Sequence, residues 1–439
     1  MKTGDGMRTR FYNARILTME PGRDVFLGEV WVIEDKIIFV GTEEEGRSFC
    51  ELHKGAIMIW DREIDCKQNL LMPGFKNAHT HSAMTLMRSK ADDLPLSDWL
   101  NTQIFPVEAK MTGEDIYHLS KIAILEYLTS GITSVFEMYL TPYTVADAFR
   151  DCGMRCVQTS CVNNFSQSVE LLEKYYLELN SRDAFNSFLL GIHAEYTCSK
   201  ELLEKCAELV HKYKAPFWAH LQETEKETKE CIERYGMSPI ELFDSLGLFD
   251  YGGGGYHLVW TSDKDREIMK KRNLFVVTNP GSNLKLASGI APITKYLECD
   301  IPVAIGTDGP ASNNCLDMFR EMFLVTGLAK VKDMDARSVD AAEVLKMATV
   351  NGARAMGLDD CDYLAEGKKA DIIMLDLKQP NMQPINNIVK NIVYSGSKSN
   401  VLMTMIDGII RYENGTFNIG VDPEELYSKA EEIKKRIYD

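Results

Sequence analysis

The sequence predicts an α/β fold: a (β/α)8 barrel of the TIM type inserted in a small, discontinuous β-sandwich domain. Three observations predict it. Between residues 70 and 307, eight apolar strand-like runs alternate with segments of helical period, the pattern of a parallel sheet buried on both faces. Short alternating β segments lie before and after that region. The 439 residues exceed the roughly 250 that such a barrel takes, which leaves room for an accessory domain.

The elements follow in order. Residues 11–18 alternate, 29–33 are rich in β-branched and aromatic side chains, and 36–40 follow after Glu34-Asp35, a hairpin turn signal. The expected barrel strands are 70–75, 132–138, 155–160, 188–193, 217–220, 256–260, 274–278 and 302–307, with amphipathic helices such as 115–128, 200–213 and 263–272 between them. A doubly wound open sheet would show a glycine-rich phosphate turn after its first strand, and Pro73-Gly74-Phe75 is not one. The run Gly252–Gly255 reads as the glycine-rich start of a strand where backbones approach closely. After Tyr363 the chain turns β again. Residues 370–376 form a strand, 401–406 and 408–412 flank the turn Asp407-Gly408, and 423–438 form a charged amphipathic helix. Residues 1–69 and 363–439 are thus expected to meet as one small domain, with residues 70–362 as the barrel between them.

Composition narrows the function. A formal net charge of -16 argues against nucleic-acid binding, which needs basic patches to displace counterions, and against docking on anionic lipid. No run of 18 apolar residues is long enough for a membrane span, and residues 1–10 lack the apolar segment of a signal peptide. The 11 cysteines are scattered and odd in number, which reads as reduced core thiols in a cytoplasmic protein. Cys152 and Cys156 have no second pair or nearby histidine to complete a zinc site.

Five of the eight histidines stand at or beside predicted strand ends: His79, His81, His193, His220 and His257. In a barrel, catalytic groups sit at those ends. His53, His118 and His211 lie in loop or helix contexts and read as structural. His79 and His81 are i and i+2 on an extended segment, so their imidazoles share one face. His220 ends an apolar run, and Glu223 three residues on reaches the same cavity. His257 lies among apolar strand residues. Asp308, in Ile305-Gly306-Thr307-Asp308-Gly309, by itself fits a metal ligand, a phosphate-loop residue or a turn former. Together, three imidazoles and one carboxylate suit Zn²⁺ or another divalent transition metal. Such a metal lowers the pKa of bound water. Asp308 would take that water's proton, Glu223 would carry protons to the substrate ring and leaving group, and His257 would donate to the developing oxyanion.

The order His79-Thr80-His81, His220-Leu221-Gln222-Glu223, His257 and Asp308 resembles the amidohydrolase superfamily, in its mononuclear branch, since no bridging-lysine motif stands at a matching strand end. Three longer stretches, residues 279–286, 306–314 and 348–353, resemble the 5-methylthioadenosine/S-adenosylhomocysteine deaminases and their chlorohydrolase relatives. The resemblance implies one divalent metal ion, Zn²⁺ with Fe²⁺ or Mn²⁺ as alternatives, on His79, His81, His220 and Asp308, with Glu223 and His257 as acid/base groups. It places Glu108 on the ribose hydroxyls and His193 against the substrate. It implies hydrolytic deamination of an adenosine-type nucleoside (adenosine, 5'-methylthioadenosine, 5'-deoxyadenosine), with the same scaffold acting on guanine, 8-oxoguanine or a triazine as the alternative, and it suggests a homo-oligomer.

Two departures from that pattern bear on the substrate. Ser160 stands where the family's carboxylate-binding arginine is expected, and Arg155 comes too early to replace it. A buried carboxylate without a paired cation is costly, so S-adenosylhomocysteine is disfavoured and neutral nucleosides remain. Glu195 stands where the family has proline, and it is expected to add negative charge near the pocket and favour a cationic substrate.

Overall fold

The computed structural model describes residues 7–52 and 59–439; His53 lies outside them. Among the described residues, seventeen strands form two sheets. The first five are β1 (Arg8–Ile16), β2 (Phe26–Ile33), β3 (Lys36–Gly41), β4 (Arg62–Asp65) and β5 (Leu70–Pro73). The barrel strands are β6 (Phe75–Thr80), β7 (Ile132–Met138), β8 (Arg155–Thr159), β9 (Asn186–Ala194), β10 (Phe217–Leu221), β11 (Gly253–His257), β12 (Phe275–Thr278) and β13 (Val303–Ile305). Four more follow: β14 (Ile372–Leu375), β15 (Val401–Ile406), β16 (Ile409–Glu413) and β17 (Thr416–Phe417).

The β segments of the two ends do meet. β5 pairs parallel with β1 and antiparallel with β14, Leu71 opposite Met374. The expected β-sandwich domain forms as one nine-stranded sheet. It curls on itself, with the Ile37 N–H donating to the Lys368 carbonyl (2.9 Å) and the Ala370 N–H to the Asp35 carbonyl (2.8 Å). The alternation read in β1 is the alternation of its burial, which β3 shares, and it fills a core with Phe11, Val30, Ile37, Ile372 and Met403. Both expected hairpins form, with Glu34, Asp407 and Gly408 at the positive φ that tight turns require.

The eight-stranded sheet is parallel throughout, and it closes where the Asn77 Nδ2 donates to the Thr307 Oγ1 (2.8 Å) and the Thr307 N–H returns to the Asn77 Oδ1 (2.9 Å). Helices Gly113–Thr129, Lys200–Tyr213 and Asp263–Arg272 form as the periodicity predicts. The first and third of these begin at capping boxes, Thr112 with Asp115 and Ser262 with Asp265. The C-terminal helix, Pro423–Tyr438, lies within the expected segment.

Two strand placements differ from expectation. Residues 70–73 belong to the small sheet, and the first barrel strand starts at Phe75. Every residue of both strands is buried, so apolar composition cannot separate them. The break is Gly74, where a Cβ would meet the Thr133 Cγ2 at 2.1 Å. The sixth barrel strand is Gly253–His257, not 256–260. Its glycines let the chain lie against neighbours: a Cβ at Gly254 would come within 2.3 Å of the Phe275 carbonyl oxygen and 2.7 Å of the Trp218 ring. Trp218, Tyr256, Phe136 and Val277 fill the barrel interior beneath the strand ends. All 11 cysteines are free thiols, and no helix among the described residues is long and apolar enough to cross a membrane.

Candidate metal and active site

The predicted residues converge at the C-terminal ends of the strands. His79 lies near the end of β6 and His81 just after it, His220 is in β10, His257 ends β11, and Asp308 follows β13. His79 and His220 bring their Nε2 atoms to 3.1 Å. Asp308 Oδ1 lies 3.5 Å from His79 Nε2 and 3.2 Å from His81 Nε2, and Asp308 Oδ2 lies 3.9 Å from His257 Nε2. Two ligand groups within single-ion reach overlap here, His79 with His81 and His220, and His79 with His257 and Asp308.

The backbone aims these rings. His81 donates from Nδ1 to the Met138 carbonyl (2.5 Å), and His220 from Nδ1 to the His193 carbonyl (2.7 Å). In the neutral imidazoles this leaves both Nε2 lone pairs facing the centre. The Asn283 Oδ1 accepts from the His257 Nδ1 (2.7 Å). The His79 ring stacks on Tyr256, centroids 3.8 Å apart, with its buried Nδ1 unpartnered. Asp308 is held by the Ser282 hydroxyl (2.6 Å), the Ser312 hydroxyl (3.0 Å) and the Gly309 N–H (2.8 Å). His257 and Asp308 both have positive φ, +73° and +58°, the kind of local strain that a fold sustains at a functional site.

Electrostatically the centre calls for a cation. Burial, with a smaller contribution from the neighbouring imidazoles, lowers His79 to about 3 against the pull of Asp308, and takes His220 well below its usual value. Burial also opposes charge on His81, but the Asp308 carboxylate, the Met138 carbonyl and Glu137 outweigh it and raise His81 to about 9. Despite burial, His79 and His81 hold Asp308 well below the carboxylate range. The neutral imidazoles of His79 and His220, beside an ionised carboxylate whose pairing cation is the His81 imidazolium and no lysine or arginine among the described residues, are a donor set in which a divalent metal would displace the His81 proton.

Over this centre opens a cavity of about 540 Å³. Glu223 and His257 face it 3.8 Å apart, and the Ser288 hydroxyl donates to Glu223 (3.2 Å). Burial, with the charge of Asp308, raises the Glu223 carboxyl above its usual value. Glu108 reaches the cavity from the short helix Phe105–Glu108 and accepts from the Tyr139 hydroxyl; burial pushes it up to about 7. His193 borders the cavity beside His220, its Nδ1 3.2 Å from the Thr197 hydroxyl, and burial lowers it to about 4. Of the remaining histidines, the two among the described residues stand apart. His118 lies 3.9 Å from Glu114, His211 pairs with Asp250 at 2.9 Å, and His53 is outside the described residues.

The two departures resolve differently from their sequence reading. Ser160 does not line the cavity; its hydroxyl donates to the Gly191 carbonyl (2.6 Å). The wall there is Cys161, Asn163, Phe165 and Ser166, and no lysine or arginine among the described residues lines the cavity. The absence of a carboxylate-binding cation therefore holds for the whole wall, not for one position. Glu195 is corrected: it is buried, does not line the cavity, and is paired with Arg234 at 2.6 Å. Its charge is neutralised and does not select a cationic substrate.

Sequence reasoning missed the supports. Tyr256 under His79, Asn283 behind His257, and Ser282 and Ser312 on Asp308 are ordinary residue types whose roles exist only once the strands are assembled. The glycines flanking Asp308 were legible as a signal, and Gly306 shows why: a Cβ there would sit 2.7 Å from the His79 Cβ.

A barrel with histidines and an aspartate at its strand ends defines a class of metal-assisted hydrolases. Residues 70–410 match the amidohydrolase family, and the chain belongs to it. It is a hydrolase acting on carbon–nitrogen bonds. It is similar to a 5-methylthioadenosine/S-adenosylhomocysteine deaminase from Caldicellulosiruptor saccharolyticus, 37% identical over 96% of this chain and 97% of that one. It is likewise similar to a 5'-deoxyadenosine deaminase from Methanosarcina acetivorans, 38% identical over 95% of each. Among solved structures, an adenosine deaminase from Xanthomonas campestris with bound zinc superposes with a TM-score of 0.91 at 30% identity, covering 98% of both chains.

Proposed function

We propose that this protein is a cytoplasmic, zinc-dependent hydrolase that deaminates an adenosine-type nucleoside with an uncharged 5' substituent. The observation that carries the reading is the convergence of His79, His81, His220 and Asp308 beneath a cavity whose wall holds Glu223, His257 and Glu108 but, among the described residues, no lysine or arginine. His79, His81, His220 and Asp308 would hold the metal. When bound, it supplies Lewis acidity that makes water a nucleophile near neutral pH.

The rest is done by the chain. Water adds to the ring carbon that bears the amino group, and its proton passes to Asp308, whose Oδ2 faces His257. Glu223 delivers a proton to the ring nitrogen; as the tetrahedral carbon collapses, Glu223 takes the hydroxyl proton and passes it to the exocyclic nitrogen, which leaves as ammonia while a carbonyl forms, and the proton held by Asp308 restores Glu223. His257, fixed by Asn283, stabilises the oxygen that becomes that carbonyl. Glu108 accepts from the ribose hydroxyls, and His193 packs against the substrate. One water enters and one ammonia leaves, so the reaction balances without a redox partner. The apolar part of the wall, with Trp99, Leu100, Ile104, Leu140 and Phe165, takes the 5' group.

The test is ammonia release by zinc-loaded protein from adenosine, 5'-methylthioadenosine, 5'-deoxyadenosine, S-adenosylhomocysteine, guanine and 8-oxoguanine, with His79→Ala as control. Turnover of the neutral nucleosides, with little of the homocysteine adduct, is expected. Turnover of guanine or 8-oxoguanine alone would replace this reading with a base deaminase.

A further inference from the structure

Glu137 is a buried carboxylate that the proposed chemistry does not use. It lies on β7, has no exposed surface, and pairs with no lysine or arginine among the described residues. A buried charge without such a pair is costly unless something else holds it. What holds it is Ser82. The Ser82 N–H donates to both Glu137 oxygens (3.1 and 3.0 Å), and the Ser82 hydroxyl makes a further short bond to one of them.

Ser82 directly follows His81 and opens the short helix Ser82–Met87, so Glu137 also satisfies an N–H that the helix start leaves free. The Ser82 hydroxyl lies 2.9 Å from the Tyr127 hydroxyl, which lies 2.7 Å from the Thr80 hydroxyl. Thr80 in turn donates to the Asp308 backbone carbonyl (3.2 Å). The two residues flanking His81 are therefore tied together beneath it, and one of them is tied to Asp308. Met138, the neighbour of Glu137, accepts the His81 Nδ1 proton. β7 thus grips His81 twice, through its own ring and through the peptide after it.

We infer that Glu137 is a positioning residue: it clamps the Thr80–His81–Ser82 turn, through Ser82 and Tyr127, so that His81 and Asp308 aim at one point. This rests on the reading of His81 and Asp308 as metal ligands. Resting on no titration, the inference concerns geometry. Glu137→Ala removes both acceptors. Glu137→Gln keeps the shape and one acceptor oxygen, and serves as the conservative variant. Tyr127→Phe cuts the other arm while keeping the ring.

Each variant, purified as full-length holoprotein, is compared with the parent for zinc loss to a chromophoric chelator and for the visible spectrum after cobalt substitution. Kinetics on the best nucleoside and circular dichroism complete the set. Glu137→Ala is expected to lose zinc at least tenfold faster, to shift the cobalt bands, and to lower kcat with KM nearly unchanged. Glu137→Gln should recover most of each property. A merely structural residue would lower the melting temperature while leaving the zinc off-rate and the cobalt spectrum of the folded protein as in the parent; that result overturns the inference. If Glu137→Ala does not fold, Tyr127→Phe and Glu137→Gln carry the test, and parental zinc off-rates and cobalt spectra in both overturn it. Should the parent bind neither zinc nor cobalt, or should His81→Ala bind them equally well, the reading of the metal site fails instead, and the two failures are told apart.

Discussion

Glu108 gives the sharpest test of what the cavity recognises. A carboxylate that accepts from ribose hydroxyls makes charge-assisted bonds, each contributing roughly 1.5–3 kcal/mol. Losing one such bond lowers kcat/KM by about 10- to 150-fold. Glu108→Ala removes both acceptor oxygens and should lie at or beyond the upper end. Glu108→Gln keeps one oxygen but loses the charge, and should lie near the lower end. The loss must be confined to ribosides, since a bare aminopurine offers Glu108 nothing to bind. There is also a pH signature. Burial pushes the Glu108 carboxyl up to about 7, against the Tyr139 hydrogen bond and the charge of His81, which lower it. Below that pH the free enzyme holds it as the neutral acid, a weaker acceptor. The kcat/KM for a nucleoside should therefore rise with pH through about 7 on this limb, and Glu108→Gln should flatten the limb. The assay is ammonia release from adenosine and adenine across pH 5.5–8.5, an interval of roughly 1.5 units either side of that pKa. Equal losses on nucleoside and base, or an unchanged pH limb in Glu108→Gln, would refute the ribose role.

Three further outcomes are expected. Glu223→Gln should lower kcat by about 10²- to 10⁴-fold, the usual contribution of a positioned proton carrier, while zinc content measured by atomic absorption stays at the parental level. Gly306→Ala places a Cβ 2.7 Å from the His79 Cβ and 2.8 Å from the His79 backbone nitrogen; beyond roughly 1–3 kcal/mol of overpacking, it should shift His79 and weaken zinc retention in a chelator competition. Arg155→Met should destabilise the fold by about 3–5 kcal/mol in urea titrations, because it strands a buried carboxylate. Arg155 holds Asp371 at 3.1 Å and Asp407 at 3.0 Å where the barrel meets the nine-stranded sheet. Although burial alone would raise it, Asp371 is held below its usual pKa, chiefly by the charge of Arg155. Its contribution to stability is therefore present above the unfolded value of about 3.9 and is lost as the pH falls through the lower folded value.

The convergence of the proposed ligands was legible because two periodicities constrain it independently. Imidazoles two apart on a strand share a face whatever the strand's first residue is, so misplacing the first barrel strand at 70–75 left the pairing of His79 with His81 untouched. The alternation of strands and helices then put His220, His257 and Asp308 at the same end of the barrel. What composition could not separate was one buried strand from the next. Leu70–Pro73 and Phe75–Thr80 are both wholly buried, and only the steric demand at Gly74 divides them. Charge was misread for a related reason. Glu195 follows His193 by two residues, yet the 3-10 turn that starts at Glu195 directs its side chain to Arg234 on the helix Glu225–Tyr235. A strand end fixes the side of the sheet that a residue faces only while the strand continues. Beyond it, turn geometry decides, and one sequence carries little information about that geometry. The same reasoning ranks the residue assignments by how they can fail. Those on strands, His79 and His220, depend on register alone. Those past strand ends, His81 and Asp308, depend on the tethers that the turns make: the Met138 carbonyl, the Ser82–Glu137 clamp and the Ser282 hydroxyl. Substitutions that weaken zinc binding without touching a ligand should therefore concentrate among those tethers and at the close contacts on His79, Gly306 and Tyr256.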